Sequence, residues 1–148
     1  ATILTGAMRD SDTVVRWGGE EFFVVAKNTS RSDAHIIAER IRSAVEAHPF
    51  DIGNGETIHK TCSIGFAAYP FDSGSPNTVT WDRVAEIADQ CLYAAKHSGR
   101  NMWVGVFAPD TANRGALISK MSGEISVPEL VSNGVLAVKS TEDKAISW

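Results

Sequence analysis

The sequence contains little of what marks several classes of protein. Only two of its 148 residues are cysteines, Cys62 and Cys91, and they stand far apart with no CxxC pair. This spacing argues against a disulfide framework and a zinc site, and it favours two buried thiols in a reducing, cytoplasmic setting. The four histidines form neither an HxxxH nor an HExxH pattern, so metal binding through histidine is not expected.

Charge and hydropathy argue against two further classes. Fourteen Lys and Arg against eighteen Asp and Glu give a net charge of −4, which argues against a basic surface for nucleic acid polymers. No apolar run approaches the roughly 18 residues of a membrane span, and no charged-then-apolar leader opens the chain. A hydrophobic content of 43% is typical of a soluble globular protein. The first residue is Ala rather than Met, which suggests a fragment or a processed product.

The apolar pattern predicts alternating strands and helices. Two β-rich runs, 14–17 and 21–26, flank Gly18 and Gly19 and predict a hairpin. The other predicted elements are a helix at 32–47 opened by Ser30, a strand at 58–68, a helix at 81–98 with Thr80 as its cap and Gly99 at its end, and a strand at 101–107. This alternation predicts an α/β fold in which helices flank a mixed or antiparallel sheet.

The segment 109–148 differs in composition and is predicted to be a tail beyond a domain at 1–108. It has few aromatic residues and many small polar ones. Within it, the run ELV–SNG–VLAV around Gly134 predicts a small hairpin. The role of the tail is left open.

The densest group of polar residues is the run RWGGEEF at 16–22. Gly18 and Gly19 allow a ligand to approach the backbone closely, because no Cβ stands in the way. The adjacent carboxylates of Glu20 and Glu21 repel each other unless a cation offsets them. Glycine backbone, carboxylates and a divalent metal together suit a nucleoside triphosphate. The alternative is a solvated turn that happens to contain two glutamates.

This run resembles the GGDEF motif, in its GGEEF variant, of diguanylate cyclases. Arg9 and Asp12 fit the family's RxxD motif, with five residues between Asp12 and Gly18. Further matches are AERIR at 38–42, SIGFA at 63–67 and ADQCLYAAKHSGRN at 88–101. Several motifs in order at consistent spacing are a specific signal. The resemblance covers about residues 1–107 and implies a ferredoxin-like, palm-like sheet flanked by helices.

The resemblance implies a role for each matching residue. Glu20 is the expected ligand of Mg²⁺ or Mn²⁺, and Glu21 is expected to hold a second metal or to help activate a 3′-hydroxyl. The hairpin backbone at Gly18 and Gly19 is expected to lie along the nucleotide. The expected phosphate-binding cations are Lys96 and Arg100. Without the resemblance, these two cations would be read as a pair that satisfies the helix dipole.

The implied reaction joins two GTP molecules into cyclic di-GMP and releases pyrophosphate. Each family domain binds one GTP, so a homodimer is expected to be needed for catalysis. Arg9, Asp12 and Arg40 are expected to form an inhibitory site for the product, against the alternative of a surface ion pair of small worth. The implied location is cytoplasmic, although the parent protein could be tethered to a membrane.

The match is incomplete at the N-terminal side. The family has a central strand with an Asp metal ligand and a helix that reads guanine, whereas residues 1–8 look like the end of a helix. The chain as given is therefore expected not to make cyclic di-GMP. It is either a fragment of a cyclase or a degenerate domain in which the run 135–138 fills the gap. The alternative functions are a catalytically silent receptor for cyclic di-GMP or GTP and a dimerisation module without ligand.

Overall fold

The computed structural model describes residues 1–71, 76–77, 79–109, 119, 123 and 126–148. These residues form two units, Ala1–Cys62 and Ser63–Trp148. Among the helices that the structure describes, none is long and apolar enough to cross a membrane. The predicted division into a domain at 1–108 and a tail stays a prediction.

The first unit consists of short helices and two hairpins. Its elements are α1 (Thr2–Gly6), β1 (Thr13–Gly18), β2 (Glu21–Val25), α2 (Ala34–Ala47), β3 (Phe50–Gly53) and β4 (Glu56–Ile58). Strands β1 and β2 pair in antiparallel fashion, with Thr13 opposite Val25, and β3 pairs with β4 in the same way. The hairpin predicted around Gly18 and Gly19 and the helix end predicted at 1–8 are both confirmed.

Helix α2 follows from an amphipathic pattern with a well-defined start. The Asp33 N–H, at the N-cap, donates to the Ser30 hydroxyl at 3.2 Å, while Asp33 itself makes no side-chain cap. Ala38 and Ile41 are buried on one face. Beside this face, the Arg42 guanidinium contacts the Glu39 carboxylate at 2.6 Å, three residues away, a spacing that supports a helix. The helix ends at Ala47, just before Pro49.

The second unit packs helices on a three-stranded mixed sheet. Its elements are β5 (Ile64–Ala67), α3 (Trp81–His97), β6 (Trp103–Phe107), α4 (Val127–Ser132), β7 (Ala137–Ser140) and a short 3₁₀ turn at Thr141–Asp143. The strand order is β5–β6–β7, with β5 and β6 parallel and β7 antiparallel to β6. The predicted mixed sheet with flanking helices is confirmed.

The core of the second unit lies between α3 and this sheet. Helix α3 buries Val84, Ile87, Cys91, Ala94 and Ala95. The approach is close: a Cβ at Gly65 of β5 would collide with the α3 backbone. The C-terminal part of the chain completes the core with the buried side chains of Val127, Leu130, Val135 and Leu136.

The strand predicted at 58–68 is confirmed only over Ile64–Ala67, and its extent is wrong. Gly53 and Gly55 both adopt positive φ, so the chain reverses there and β4 returns along β3 as a hairpin. The next strand, β5, begins only at Ile64, whose N–H donates to the Met102 carbonyl at 2.9 Å. The predicted range therefore starts at the last residue of β4 and contains β5, and these two strands belong to different sheets.

The hairpin predicted around Gly134 is also wrong, because its first arm is helix α4. The Val127 N–H at the helix start donates to the Gln90 Oε1 atom of α3 at 2.9 Å. Leu130 is buried in the core, and Pro128 suits the first turn of a helix. The second arm supplies β7, whose partner is β6 rather than the preceding residues.

Candidate functional site

The tip of the β1–β2 hairpin is shaped by its two glycines and by Arg16. Gly19 has φ of +50°, a conformation that glycine adopts without strain, and a Cβ on Gly18 would meet nothing within 4 Å. The Arg16 guanidinium donates two hydrogen bonds to the Gly19 carbonyl, at 2.9 Å from Nε and 2.7 Å from Nη2. These bonds fix the turn and leave an open backbone surface beside it.

Both glutamates of the motif lie at this tip and are exposed. Glu20 is in the turn, and Glu21 is the first residue of β2, opposite Gly18. The neighbouring Trp17 is 76% exposed, with its ring centroid 6.0 Å from that of Phe23. The hairpin thus presents two adjacent carboxylates to solvent.

This donor set fits a magnesium-type cation only in part. Within the described ranges, no group of three or more His, Cys, Asp and Glu residues could hold a metal ion. Mg²⁺ is usually bound through one or two protein carboxylates, with phosphate oxygens and waters as its other ligands. Glu20 and Glu21 therefore suit a cation that arrives together with a nucleotide, and Mn²⁺ has the same oxygen preference.

In the second unit, Lys96 and Arg100 lie at the C-terminal end of α3. Lys96 is in the last helical turn and is half-buried, whereas Arg100 follows the helix and is exposed. Gly99 has φ of +112°, which confirms the glycine predicted there. Arg100 and Asn101 also have positive φ, and the Arg100 N–H donates to the Ala95 carbonyl at 3.1 Å. Non-glycine residues in this region cost about 1–3 kcal/mol and cluster at functional sites.

The turn at Arg9–Asp12 is held by backbone hydrogen bonds to the Asp12 carboxylate. One oxygen accepts from the Arg9 N–H at 3.0 Å, and the other accepts from the Lys27 N–H at 2.9 Å. The pKa of Asp12 is lowered, first by the Arg9 N–H, then by the Lys27 N–H and by the charges of Arg9 and Arg40. The charges of Arg9 and Arg40 thus act on the Asp12 carboxylate, and the role predicted for these three residues stays a prediction.

Sequence reasoning missed the roles of two residues in the first unit. Arg16 fixes the glycine turn, and Lys27 ties the end of β2 to Asp12. The sequence contained a signal for Arg16, because it is a cation two residues before Gly18. A cation at that position can donate hydrogen bonds to the carbonyls of the turn. Lys27 acts through its backbone, so its side chain gave no signal.

Burial keeps both cysteines protonated at neutral pH. Burial raises the pKa of the Cys91 thiol to about 12, which confirms its predicted place in the core. Burial also raises the pKa of Cys62 to about 11, with a lowering contribution from Arg42 and a raising one from Glu39. Cys62 is only half-buried. Neither cysteine is suited to thiolate chemistry.

The fold and the hairpin define an α/β domain that presents paired carboxylates on a glycine turn. A family model described as "Diguanylate cyclase, GGDEF domain" matches residues 1–102. The chain belongs to this family.

Individual relatives agree with the family match. Diguanylate cyclase A of Treponema denticola is 43% identical over 101 residues, which cover 68% of this chain and 26% of that protein. Diguanylate cyclase DosC of Escherichia coli is 43% identical over 94 residues, covering 64% and 19%. The response regulator PleD of Caulobacter vibrioides is 40% identical over 103 residues, covering 69% and 22%. The chain thus spans about a quarter or less of these curated relatives.

A solved structure has the same fold over about two thirds of the chain. It is the crystal structure of diguanylate cyclase SiaD of Pseudomonas aeruginosa in complex with its activator SiaC. The likeness has a TM-score of 0.58 and 31% sequence identity, and it covers 68% of this chain and 36% of that one.

Proposed function

We propose that this chain is part of a diguanylate cyclase domain that condenses two GTP molecules into cyclic di-GMP and pyrophosphate. The observation that supports this most is the hairpin tip, where Arg16 fixes a glycine turn and Glu20 and Glu21 are exposed side by side. Membership of the GGDEF family supports the same substrate class. With this function, the proposed location is the cytoplasm.

The hairpin is proposed to hold the triphosphate of one GTP. Gly18 and Gly19 have no side chains, so phosphate oxygens can approach the backbone. Glu20 and Glu21 would hold Mg²⁺ or Mn²⁺, which supplies positive charge to the phosphates when it is bound. In the second unit, Arg100 offers a planar fork and Lys96 a point charge for phosphate oxygens.

The proposed reaction is nucleotidyl transfer. The 3′-oxygen of one GTP forms a bond to the α-phosphorus of the other, the 3′-hydroxyl loses its proton, and pyrophosphate leaves. Glu21 is proposed to assist that deprotonation or to hold a second cation. Since one domain binds one GTP, two copies of the domain must face each other, and positioning supplies much of the rate. The resemblance implies an Asp metal ligand on a strand ahead of the RxxD motif, and the chain as given has no acidic residue before Asp10. The chain is therefore expected not to form the product alone.

Arg9, Asp12 and Arg40 are proposed to form the site for inhibitory product. Both carboxylate oxygens of Asp12 accept backbone hydrogen bonds, and the charges of Arg9 and Arg40 act on this carboxylate. Arg9 and Arg40 are both exposed. Their guanidinium groups are therefore the natural ligands for the phosphates or guanine edges of cyclic di-GMP, while Asp12 holds the turn.

The same cluster supports a second candidate function, a silent receptor for cyclic di-GMP or GTP. The cluster lies within the first unit and needs no catalytic residue. We expect Glu21→Gln to abolish turnover in a chain extended upstream if the domain is a cyclase, whereas Glu56→Gln, at the exposed first residue of β4, should leave turnover unchanged. Arg9→Ala should abolish binding of cyclic di-GMP if the domain is a receptor.

Calorimetric titration of the chain as given provides the first test. Binding of cyclic di-GMP that depends on Arg9 would support the inhibitory site, and binding of GTP with Mg²⁺ that depends on Glu20 would support the hairpin site. Robust formation of cyclic di-GMP by this chain alone would contradict its expected inactivity. A folded chain that binds neither nucleotide would contradict both candidate functions for this chain.

A further inference from the structure

The last residues of the chain contact both ends of the segment that contains Arg100. We call residues 141–148 the C-terminal strap, and we call residues 98–103, from the end of α3 to the first residue of β6, the 98–103 loop. The Ser147 N–H donates to the Ser98 hydroxyl at 2.8 Å, and this hydroxyl is 3.4 Å from the Ser147 carbonyl, to which it donates. At the other end, the Trp103 N–H donates to the buried Thr141 hydroxyl at 2.9 Å. The strap therefore brackets the loop.

The 98–103 loop needs such support because of its backbone conformation. Gly99, Arg100 and Asn101 are three consecutive residues with positive φ, and two of them are not glycine. An L-residue holds this conformation only where surrounding contacts impose it. Inside the loop, the Arg100 N–H bonds back to the Ala95 carbonyl at 3.1 Å. The strap adds a contact at Ser98, immediately before this run, and another at Trp103, two residues after it.

The strap is anchored by contacts of its own. It continues from β7, which pairs with β6 so that Ser140 lies opposite Val104. The Ser140 hydroxyl donates to the Lys144 carbonyl at 2.8 Å and fixes the turn that follows. Ile146 and Trp148 are half-buried and pack against the core of the second unit. Because the strap is held by these separate contacts, it can constrain the conformation of the 98–103 loop.

We propose that the C-terminal strap sets the conformation of the 98–103 loop, and that Ser98 is a positioning residue for the phosphate-binding cations Lys96 and Arg100. The strap lies beyond residues 1–102, which the family model matches, so the match does not include this contact. The ligand is a pyrophosphate or triphosphate group. The part of the proposal that concerns the ligand rests on the proposed function, whereas the part that concerns the loop does not.

The main test compares two substitutions of Ser147 in the full chain. Ser147→Pro removes the N–H that donates to Ser98, whereas Ser147→Ala keeps it. We expect Ser147→Pro to speed hydrogen exchange of the Arg100 amide and to weaken binding of inorganic pyrophosphate by between about twofold and tenfold, the effect of one hydrogen bond. Ser147→Ala should match the unsubstituted chain in both measurements. Equal effects of the two substitutions would overturn the proposal.

Substitutions of Ser98 test the same contact without altering the backbone of the strap. Ser98→Ala removes the hydroxyl and should reproduce the effects of Ser147→Pro, while Ser98→Thr keeps a hydroxyl and should restore both measurements. If exchange of the Arg100 amide is unchanged in Ser98→Ala, the proposal is wrong even if Ser147→Pro fails to fold. If the unsubstituted chain binds no pyrophosphate, the proposed phosphate site at Lys96 and Arg100 is contradicted. Hydrogen exchange of the Arg100 amide then still tests whether the strap holds the loop.

Discussion

At the scale of single residues, two charged side chains of the first unit bind backbone groups and so shape the turns around the motifs. Arg16 donates to the Gly19 carbonyl, and Asp12 accepts from the N–H groups of Arg9 and Lys27. Asp12 belongs to a motif that the resemblance links to product binding, yet its hydrogen bonds to the N–H groups of Arg9 and Lys27 fix the turn. The exposed arginines Arg9 and Arg40 are therefore the groups that we propose to contact a ligand. A residue that the sequence predicts to be a ligand can act by positioning its neighbours.

The ionisation of Asp12 gives a pH-dependent prediction at this scale. Its pKa is lowered below the ordinary value of 3.8, mainly by the Arg9 N–H, and the charges of Arg9 and Arg40 contribute. A carboxyl whose pKa is lower in the folded chain adds stability above its unfolded pKa, and this stability is lost as pH falls through the folded pKa. We expect Arg40→Gln to raise the titration midpoint of the Asp12 carboxyl in NMR, and Arg40→Lys, which keeps the charge, to raise it less.

At the scale of elements, sequence patterns predicted structure well where the determining contacts are local. The β1–β2 hairpin depends on Gly18 and Gly19, which lie inside it, and α2 depends on its own apolar face. The pattern failed for α4, because Gln90 caps its start from 37 residues away in the chain. No window of the sequence around 127–132 contains that acceptor.

The candidate site also has parts that the sequence predicts and parts that it does not. Residues Gly18 to Glu21 are adjacent in the chain, so the motif predicted the hairpin tip together with its exposed glutamates. The contact between Ser98 and Ser147 spans 49 residues, and nothing in either local sequence indicates it. The positive φ of Gly99 was predictable because glycine is the usual residue at a helix end. The positive φ of Arg100 was not, since arginine rarely adopts it.

The cap that Gln90 gives α4 leads to a prediction about stability. Gln90→Met keeps the size of the side chain but removes the Oε1 acceptor, which leaves the N–H of the fully buried Val127 without this partner. A buried donor without a partner costs about 1–3 kcal/mol. We expect the free energy of unfolding, measured in urea, to fall by about that amount. Gln90→Glu keeps an acceptor oxygen, so its free energy of unfolding should fall less. Equal losses of stability in the two variants would contradict the capping role of Gln90.

At the scale of the whole molecule, the C-terminal part of the chain belongs structurally to the second unit. Val127, Leu130, Val135 and Leu136 are buried in the same core as the inner face of α3. The family match ends at residue 102, before any of these side chains. The part of the chain that resembles its relatives is therefore completed by a part that the match does not include. This arrangement bears on where the folded domain ends, which composition alone placed at residue 108.

A shortened chain tests that boundary. A chain that ends at residue 108 loses the buried core side chains of Val127, Leu130, Val135 and Leu136, each of which contributes about 1.5–3 kcal/mol. Their sum is comparable with the 5–15 kcal/mol that stabilises a typical domain. We therefore expect the amides of α3 and β6 to lose their protection from hydrogen exchange. A chain that ends at residue 144 keeps α4 and β7 and should retain most of it. Full protection in the chain 1–108 would mean that the domain ends where its composition changes, and that the C-terminal part packs on a core already stable without it.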